Sequence, residues 1–106
     1  MLVPDPMGAT GGTVIRTVDH YLQLLDDPPD RIVAMHLMVT PEYLRRLAKD
    51  APNVVVYALR VDRGLSSEDV LRTRLGASEN ERGLTDTQYI VPGAGGLGEL
   101  VNNAFV

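Results

Sequence analysis

Two strand-sized apolar runs dominate the chain, RIVAMHLMV at residues 31–39 and VVVYALRV at residues 54–61, and one short segment separates them. Near-continuous apolar runs suit strands that are covered on both faces. The segment between them opens with Thr40-Pro41-Glu42: a capping hydroxyl, a proline at the first helical position and an acid in the first turn. It reads as a short helix that ends before Pro52, with Leu44, Leu47 and Ala48 on its buried side. Upstream, Val14, Ile15, Val18, Tyr21, Leu22 and Leu25 recur at three- and four-residue spacing. That is the apolar stripe of another helix, starting near Thr13. Asp26-Asp27-Pro28-Pro29-Asp30 stops it, because consecutive prolines cannot continue helical hydrogen bonding. Helices alternating with apolar strands imply an α/β fold, a parallel sheet flanked by helices.

At 106 residues the chain has room for a single small domain. Its 10 basic residues are scattered and its net charge is −4, so it lacks the concentrated basic face that nucleic acid requires. No apolar run is long enough to cross a bilayer, and no basic-then-apolar leader opens the chain. Without cysteine there is no disulfide framework and no thiolate metal site. The expectation is a cytoplasmic protein with neither a nucleic-acid nor a membrane partner. His20 is expected at the surface and His36 as a hydrogen-bonded core histidine. Two isolated histidines without matching acids do not make a metal site. Met35 and Met38 read as core filling, and Asp26, Asp27 and Asp30 as a solvated turn.

Residues 63–86 depart from the strand-and-helix rhythm. They are polar and charged, with a short helix expected where Ser66 and Asp69 precede Val70, Leu71 and Leu75. This stretch reads as an excursion from the sheet, a flap or a subunit contact. A short strand over residues 89–91 is expected after it. No internal repeat stands out.

Two glycine-rich loops carry the functional signal. Gly8 to Thr13, GATGGT, leads directly into a helix. Glycines let successive N–H groups point at one anion, and a helix N-terminus adds favourable partial charge. A P-loop is excluded, since no lysine follows the last glycine; a plain strand-to-helix turn is the competing reading. Asp5 favours a ligand, because a carboxylate just before an anion cradle is placed to hold sugar hydroxyls. The second loop, GAGGLG at residues 93–98, matches a dinucleotide fingerprint letter for letter. That fingerprint also needs a complete βαβ unit and an acidic residue ~20 positions on. A loop whose backbone closely approaches a flat ligand is the better reading.

Taken together, DPMGATGGT at residues 5–13 and YIVPGAGGLG at residues 89–98 resemble the two ligand loops of the uracil phosphoribosyltransferases, which read close to DPMLATGGS and YIVPGLGDAG. The intervening VTPEYLRRLAKDAPNVVVYAL resembles the family's APEG-type helix and the strand after it. The resemblance covers nearly all of the chain, apart from an insertion within residues 63–86, and implies a partial type I phosphoribosyltransferase fold. It implies that Asp5 contacts the ribose hydroxyls of phosphoribosyl pyrophosphate (PRPP) and is the catalytic residue of this set. Pro6, Met7, Gly8, Ala9, Thr10, Gly11, Gly12 and Thr13 would complete the PRPP loop around the 5′-phosphate. Ile90, Gly95, Gly96 and Leu97 would bind uracil, largely through main-chain groups. The implied reaction joins uracil to the phosphoribosyl group, giving UMP and pyrophosphate, with Mg²⁺ carried by the pyrophosphate. A homo-oligomer is implied as well.

Departures from the family pattern sharpen the expectation. Gly96 stands where the family has aspartate, and Glu99-Leu100 where it has Asp-Arg. Loss of a positioned acid–base group typically costs ~10²–10⁴-fold in rate. Family members are longer, and their N-terminal half supplies pyrophosphate-gripping basic residues, further strands and part of a dimer surface. The chain is therefore expected to correspond to a C-terminal half, with a bare sheet edge and exposed apolar surface. A non-catalytic fragment or accessory subunit that binds ribose phosphate is the alternative function.

Overall fold

A computed structural model of the chain describes residues 1–95 and residue 97. The elements run β1 (Leu2–Pro4), β2 (Met7–Gly8), α1 (Gly12–Leu24), β3 (Ile32–Val39), α2 (Pro41–Asp50), β4 (Val54–Val61) and α3 (Glu68–Leu71). Every pairing between these strands is parallel, and β3 is central. β1 and β2 lie end to end along one edge of β3 in a single register, Val3 opposite Ala34 and Gly8 opposite Val39. They are one strand interrupted at Asp5 and Pro6. Prolines are tolerated in such a strand because it lies at a sheet edge. β4 lies along the other edge of β3, with Val56 opposite Ala34. The expected parallel α/β fold is present.

Strand order follows chain order, so two right-handed crossovers put both long helices on the same face. The core forms there: Val3, Ile32, Ala34 and Val54 from the strands, Val14 and Val18 from α1, Tyr43 and Leu47 from α2, and Ala51 just beyond it. The opposite face carries Leu2, Met35, Leu37, Val55, Tyr57 and Leu59, all exposed, from 42% at Val55 to 84% at Leu59. Burial of both apolar runs on two faces is therefore corrected. Among the described residues only one face of the sheet is covered, and Met35 is surface rather than core. An apolar letter code cannot reveal this, because both faces of β3 carry apolar side chains and only the strand order says where the helices lie.

Thr40 caps α2 as expected, its Oγ1 accepting from the Tyr43 N–H at 3.0 Å. The buried side of that helix differs: Ala48 is exposed, and Tyr43 takes the interior position. On α1 the stripe narrows to Val14 and Val18, with Tyr21 and Leu25 left exposed. Residues 63–86 fold back onto α2. Arg45 Nη2 donates to Glu81 O (3.1 Å), and the Glu42 carboxylate accepts from the amides of Gly83 (3.1 Å) and Leu84 (3.4 Å). The N-cap of α3 is Ser67. Ser66 does not cap it; its Oγ accepts instead from the Arg82 N–H at 2.8 Å. The strand expected over residues 89–91 shrinks to one antiparallel bridge between Leu84 and Ile90.

Candidate functional site

The interruption between β1 and β2 begins the first glycine loop, and its carbonyls are turned into the protein. Asp5 O lies 2.6 Å from His36 Nδ1. Pro6 O accepts from the Leu37 N–H (2.9 Å), and Gly8 O from the Thr40 N–H (3.0 Å). Thr40 Oγ1 donates to Ala9 O (2.7 Å), and Arg46 Nη1 to Thr10 O (3.2 Å). Gly11 O accepts from the Ile15 N–H, the first bond of α1 (3.0 Å). A peptide plane whose carbonyl is held inward presents its N–H the other way. The amides of Ala9, Thr10 and Gly11 have no hydrogen-bond partner among the described residues. Neither do those of Gly12, Thr13 and Val14, which open α1 and have no acceptor within the helix.

Gly11, the N-cap, has no side chain to satisfy them. Its φ of 82° and the 2.8 Å gap between an added Cβ and Leu47 Cδ1 require glycine there. The loop and Tyr43 enclose a hollow of about 60 Å³. The Arg46 and Arg16 guanidinium groups come within 3.6 and 3.9 Å of where a Gly12 Cβ would lie. A helix N-terminus with unpaired amides and adjacent cations favours an anion. Asp5 stands beside it, half-buried, with Oδ1 accepting from the Met7 N–H at 3.1 Å. Its Oδ2 has no partner among the described residues.

The second loop is held differently. Val91 N–H donates to Gly83 O (2.8 Å), and Val91 O accepts from the Gly64 N–H (2.9 Å). Gly93 N–H donates to Oδ2 of Asp62 (2.8 Å). Asp62 is 1% exposed, and its Oδ1 lies against the Arg60 guanidinium as an ion pair without a well-directed hydrogen bond. Ile90 is half-buried at the bridge to Leu84, Gly95 closes the 3₁₀ turn Gly93–Gly95, and Leu97 is half-buried. Gly96 lies outside the described residues. The Asp62 N–H donates to Val39 O (2.8 Å), so the anchor of this loop sits at the carboxyl ends of β3 and β4. The first loop leaves the carboxyl end of β2. Both loops thus occupy the sheet edge at which ligands bind in open parallel sheets.

Several supporting residues escape a reading of the letters alone. Thr40 is legible as a helix cap but not as the group that fixes Ala9 O. Arg63 Nη1 donates to the buried Glu81 carboxylate (2.6 Å), while Nη2 donates to Thr73 O (2.9 Å). A signal for this knot exists, since Asp62-Arg63-Gly64-Leu65-Ser66 resembles Glu81-Arg82-Gly83-Leu84-Thr85. The two pentapeptides lie side by side, Leu65 N–H donating to Arg82 O at 3.0 Å. Below the first loop, His36 Nε2 lies 2.6 Å from the Tyr43 hydroxyl. Burial, and then the Asp5 charge, push the Tyr43 phenol above its ordinary value of 10.0.

Comparison with known proteins gives the family. The family model described as uracil phosphoribosyltransferase matches residues 1–80. The uracil phosphoribosyltransferase of Campylobacter fetus subsp. fetus is 35% identical over 102 residues, 96% of this chain and 38% of that protein. That of Thermococcus sibiricus is 29% identical over 76 residues, 72% of this chain and 32% of that protein. The chain thus spans well under half the length of these two relatives. Among solved structures, the AQ2163 protein from Aquifex aeolicus superposes with a TM-score of 0.67 at 28% identity, covering 99% of this chain and 41% of its own. With this fold and the match over residues 1–80, the chain belongs to the uracil phosphoribosyltransferase family.

Proposed function

We propose that the chain holds the 5-phosphoribosyl group of PRPP on its first glycine loop and contributes to its transfer to uracil, giving UMP and pyrophosphate in pyrimidine salvage. One observation carries the reading: the loop turns its carbonyls inward and, among the described residues, leaves the amides of residues 9–14 without a partner at an uncapped helix start. In this reading Met7 to Thr13 wrap the 5′-phosphate. The Asp5 carboxylate takes the ribose hydroxyls and opposes the positive charge that develops on the sugar as the bond to pyrophosphate breaks. Uracil N1 bonds to the anomeric carbon as the bond to pyrophosphate breaks, and the N1 proton passes to the departing pyrophosphate. Ile90, Gly95, Gly96 and Leu97 are assigned to uracil, and a homo-oligomer to the working assembly.

Mg²⁺ belongs to the same proposal. Among the described residues no three His, Cys, Asp or Glu side chains come together to hold a metal. Mg²⁺ commonly keeps its waters and phosphate oxygens and takes only one or two carboxylates. The lone Asp5 carboxylate beside the cradle fits an ion that arrives with pyrophosphate, whose charge it would neutralise. No helix among the described residues is long and apolar enough to cross a membrane, and we place the reaction in the cytoplasm.

A second reading has its own support. The chain covers 38% of one curated relative and 32% of another, which favours a ribose-phosphate-binding part that does not turn over alone. Calorimetry with ribose 5-phosphate, PRPP and UMP tests binding, and uracil-dependent release of pyrophosphate tests transfer. Binding without release selects the second reading. No heat with any ligand, from a folded sample, removes the site.

A further inference from the structure

His36 and Tyr43 form a buried pair beneath the first loop, and no step of the transfer reaction requires either. His36 is 6% exposed and Tyr43 0%, so each polar atom must find its partner inside the protein. The ring of His36 lies between two oxygens, with Nδ1 at 2.6 Å from Asp5 O and Nε2 at 2.6 Å from the Tyr43 hydroxyl. A carbonyl can only accept, so Nδ1 carries a proton. The Tyr43 O–H in turn needs an acceptor, and the bare Nε2 of a neutral imidazole supplies one. The proton order is fixed throughout: Tyr43 O–H donates to Nε2, and Nδ1–H donates to Asp5 O.

The same tyrosine is the floor of the loop. Its ring lies 3.0 Å from where a Gly8 Cβ would be and 3.6 Å from that of Gly11. One side chain of α2 therefore touches the phosphate end of the loop directly and the Asp5 end through His36. Asp5 sits where the edge strand breaks, between the end of β1 and the start of β2. Held at its own N–H by Met35 O (3.0 Å) and at its carbonyl by His36, the Asp5 backbone cannot swivel.

Resting on the ribose-phosphate reading above, we infer that His36 is a positioning residue: locked in its Nδ1–H form by Tyr43, it fixes the direction of the Asp5 carboxylate toward the ribose of the ligand. The consequence separates sugar from phosphate. The phosphate is held by the amides of residues 9–14, which His36 does not touch. The ribose is held by Asp5, which it does.

Long-range ¹H–¹⁵N spectra of the 106-residue chain should show His36 protonated at Nδ1 and bare at Nε2. The opposite tautomer, or a doubly protonated ring at neutral pH, overturns the inference. Calorimetry then compares ribose 5-phosphate with inorganic phosphate. His36→Leu should weaken ribose 5-phosphate about tenfold and leave inorganic phosphate within about twofold, and Tyr43→Phe should weaken ribose 5-phosphate by a similar factor. His36→Asn, whose amide can still donate to Asp5 O, should recover most of the loss. Thermal unfolding of each variant checks that the fold is intact, and the spectrum of the unaltered chain does not depend on any variant folding. Equal weakening of both ligands, or no weakening of either, removes the positioning role while leaving the site. If the unaltered chain binds neither ligand, the ribose-phosphate reading itself fails and takes this role with it.

Discussion

The two glycine loops have similar letters and different hydrogen-bond patterns. In the first, carbonyls are consumed by His36, Thr40 and Arg46 and the amides of residues 9–14 are left over. In the second, both halves of the Val91 backbone are consumed, its amide by Gly83 O and its carbonyl by the Gly64 N–H, and the Gly93 amide is taken by the buried Asp62 carboxylate. Glycine content alone therefore does not make an anion site. What matters is which half of each peptide group the surrounding structure has already satisfied. The first loop offers a row of donors to something outside. The second is held at Gly93 by a carboxylate of its own chain.

Substitutions that break one loop and spare the other test this contrast. The largest effect is expected at Gly83, where an added Cβ would fall 1.8 Å from Asp62 O. Backbone must move to admit it, so Gly83→Ala should cost about 3 kcal/mol in urea denaturation. A change below about 1 kcal/mol would mean that the stem under the second loop is far softer than drawn.

Next comes Asp62→Ala, which leaves the buried Gly93 amide without its acceptor and should lower stability by about 2 kcal/mol. Asp62→Asn keeps an oxygen for that amide and should lose less. UMP affinity should fall in Asp62→Ala while inorganic phosphate binding holds; a parallel fall of both would mean that the loops are one cooperative unit.

Gly11→Ala strikes the other loop. Forcing a side chain to a φ of 82° against Leu47 should cost about 1–2 kcal/mol and abolish phosphate binding in calorimetry, with the second loop undisturbed.

An alkaline titration addresses the first loop without mutation. The Tyr43 phenol is raised above 10.0 in the folded chain, so above that pH the unfolded chain gives up a proton that the folded chain keeps. Stability is therefore unaffected below pH about 10 and should fall above it, by at most about 1.4 kcal/mol per pH unit. Tyr43→Phe should flatten that slope, and an unchanged slope would place the responsible group elsewhere. The smallest effect is expected far from both loops. Leu59, 84% exposed on the bare sheet face, should tolerate serine within about 0.5 kcal/mol in thermal unfolding.

Much of the fold was legible because its signals are local. The prolines of residues 26–30, the Thr40 cap with Pro41 at the first helical position, and the β-branched run of β4 each state their element within a few residues. The family was legible as well, through residue order along the chain. The missed features are those in which partners lie far apart in sequence. Asp62 looks like an ordinary acid after a strand until Gly93 arrives beside it. Ser66 looks like a cap until Arg82, from the other arm of the excursion, takes its hydroxyl. Tyr43 looks less apolar than Ala48 as an interior residue, yet the His36 ring lies within hydrogen-bond reach of its hydroxyl and makes its burial tolerable.

By itself the sequence determined the element types, the parallel sheet and the family, because helix caps, apolar period and loop motifs are read within short windows. Tertiary structure alone decided which face of the sheet is covered, which loop keeps free amides, and that a histidine and a tyrosine hold Asp5 from below. Those outcomes depend on strand order and on bonds between distant residues, and neither is encoded in the local spacing of the chain.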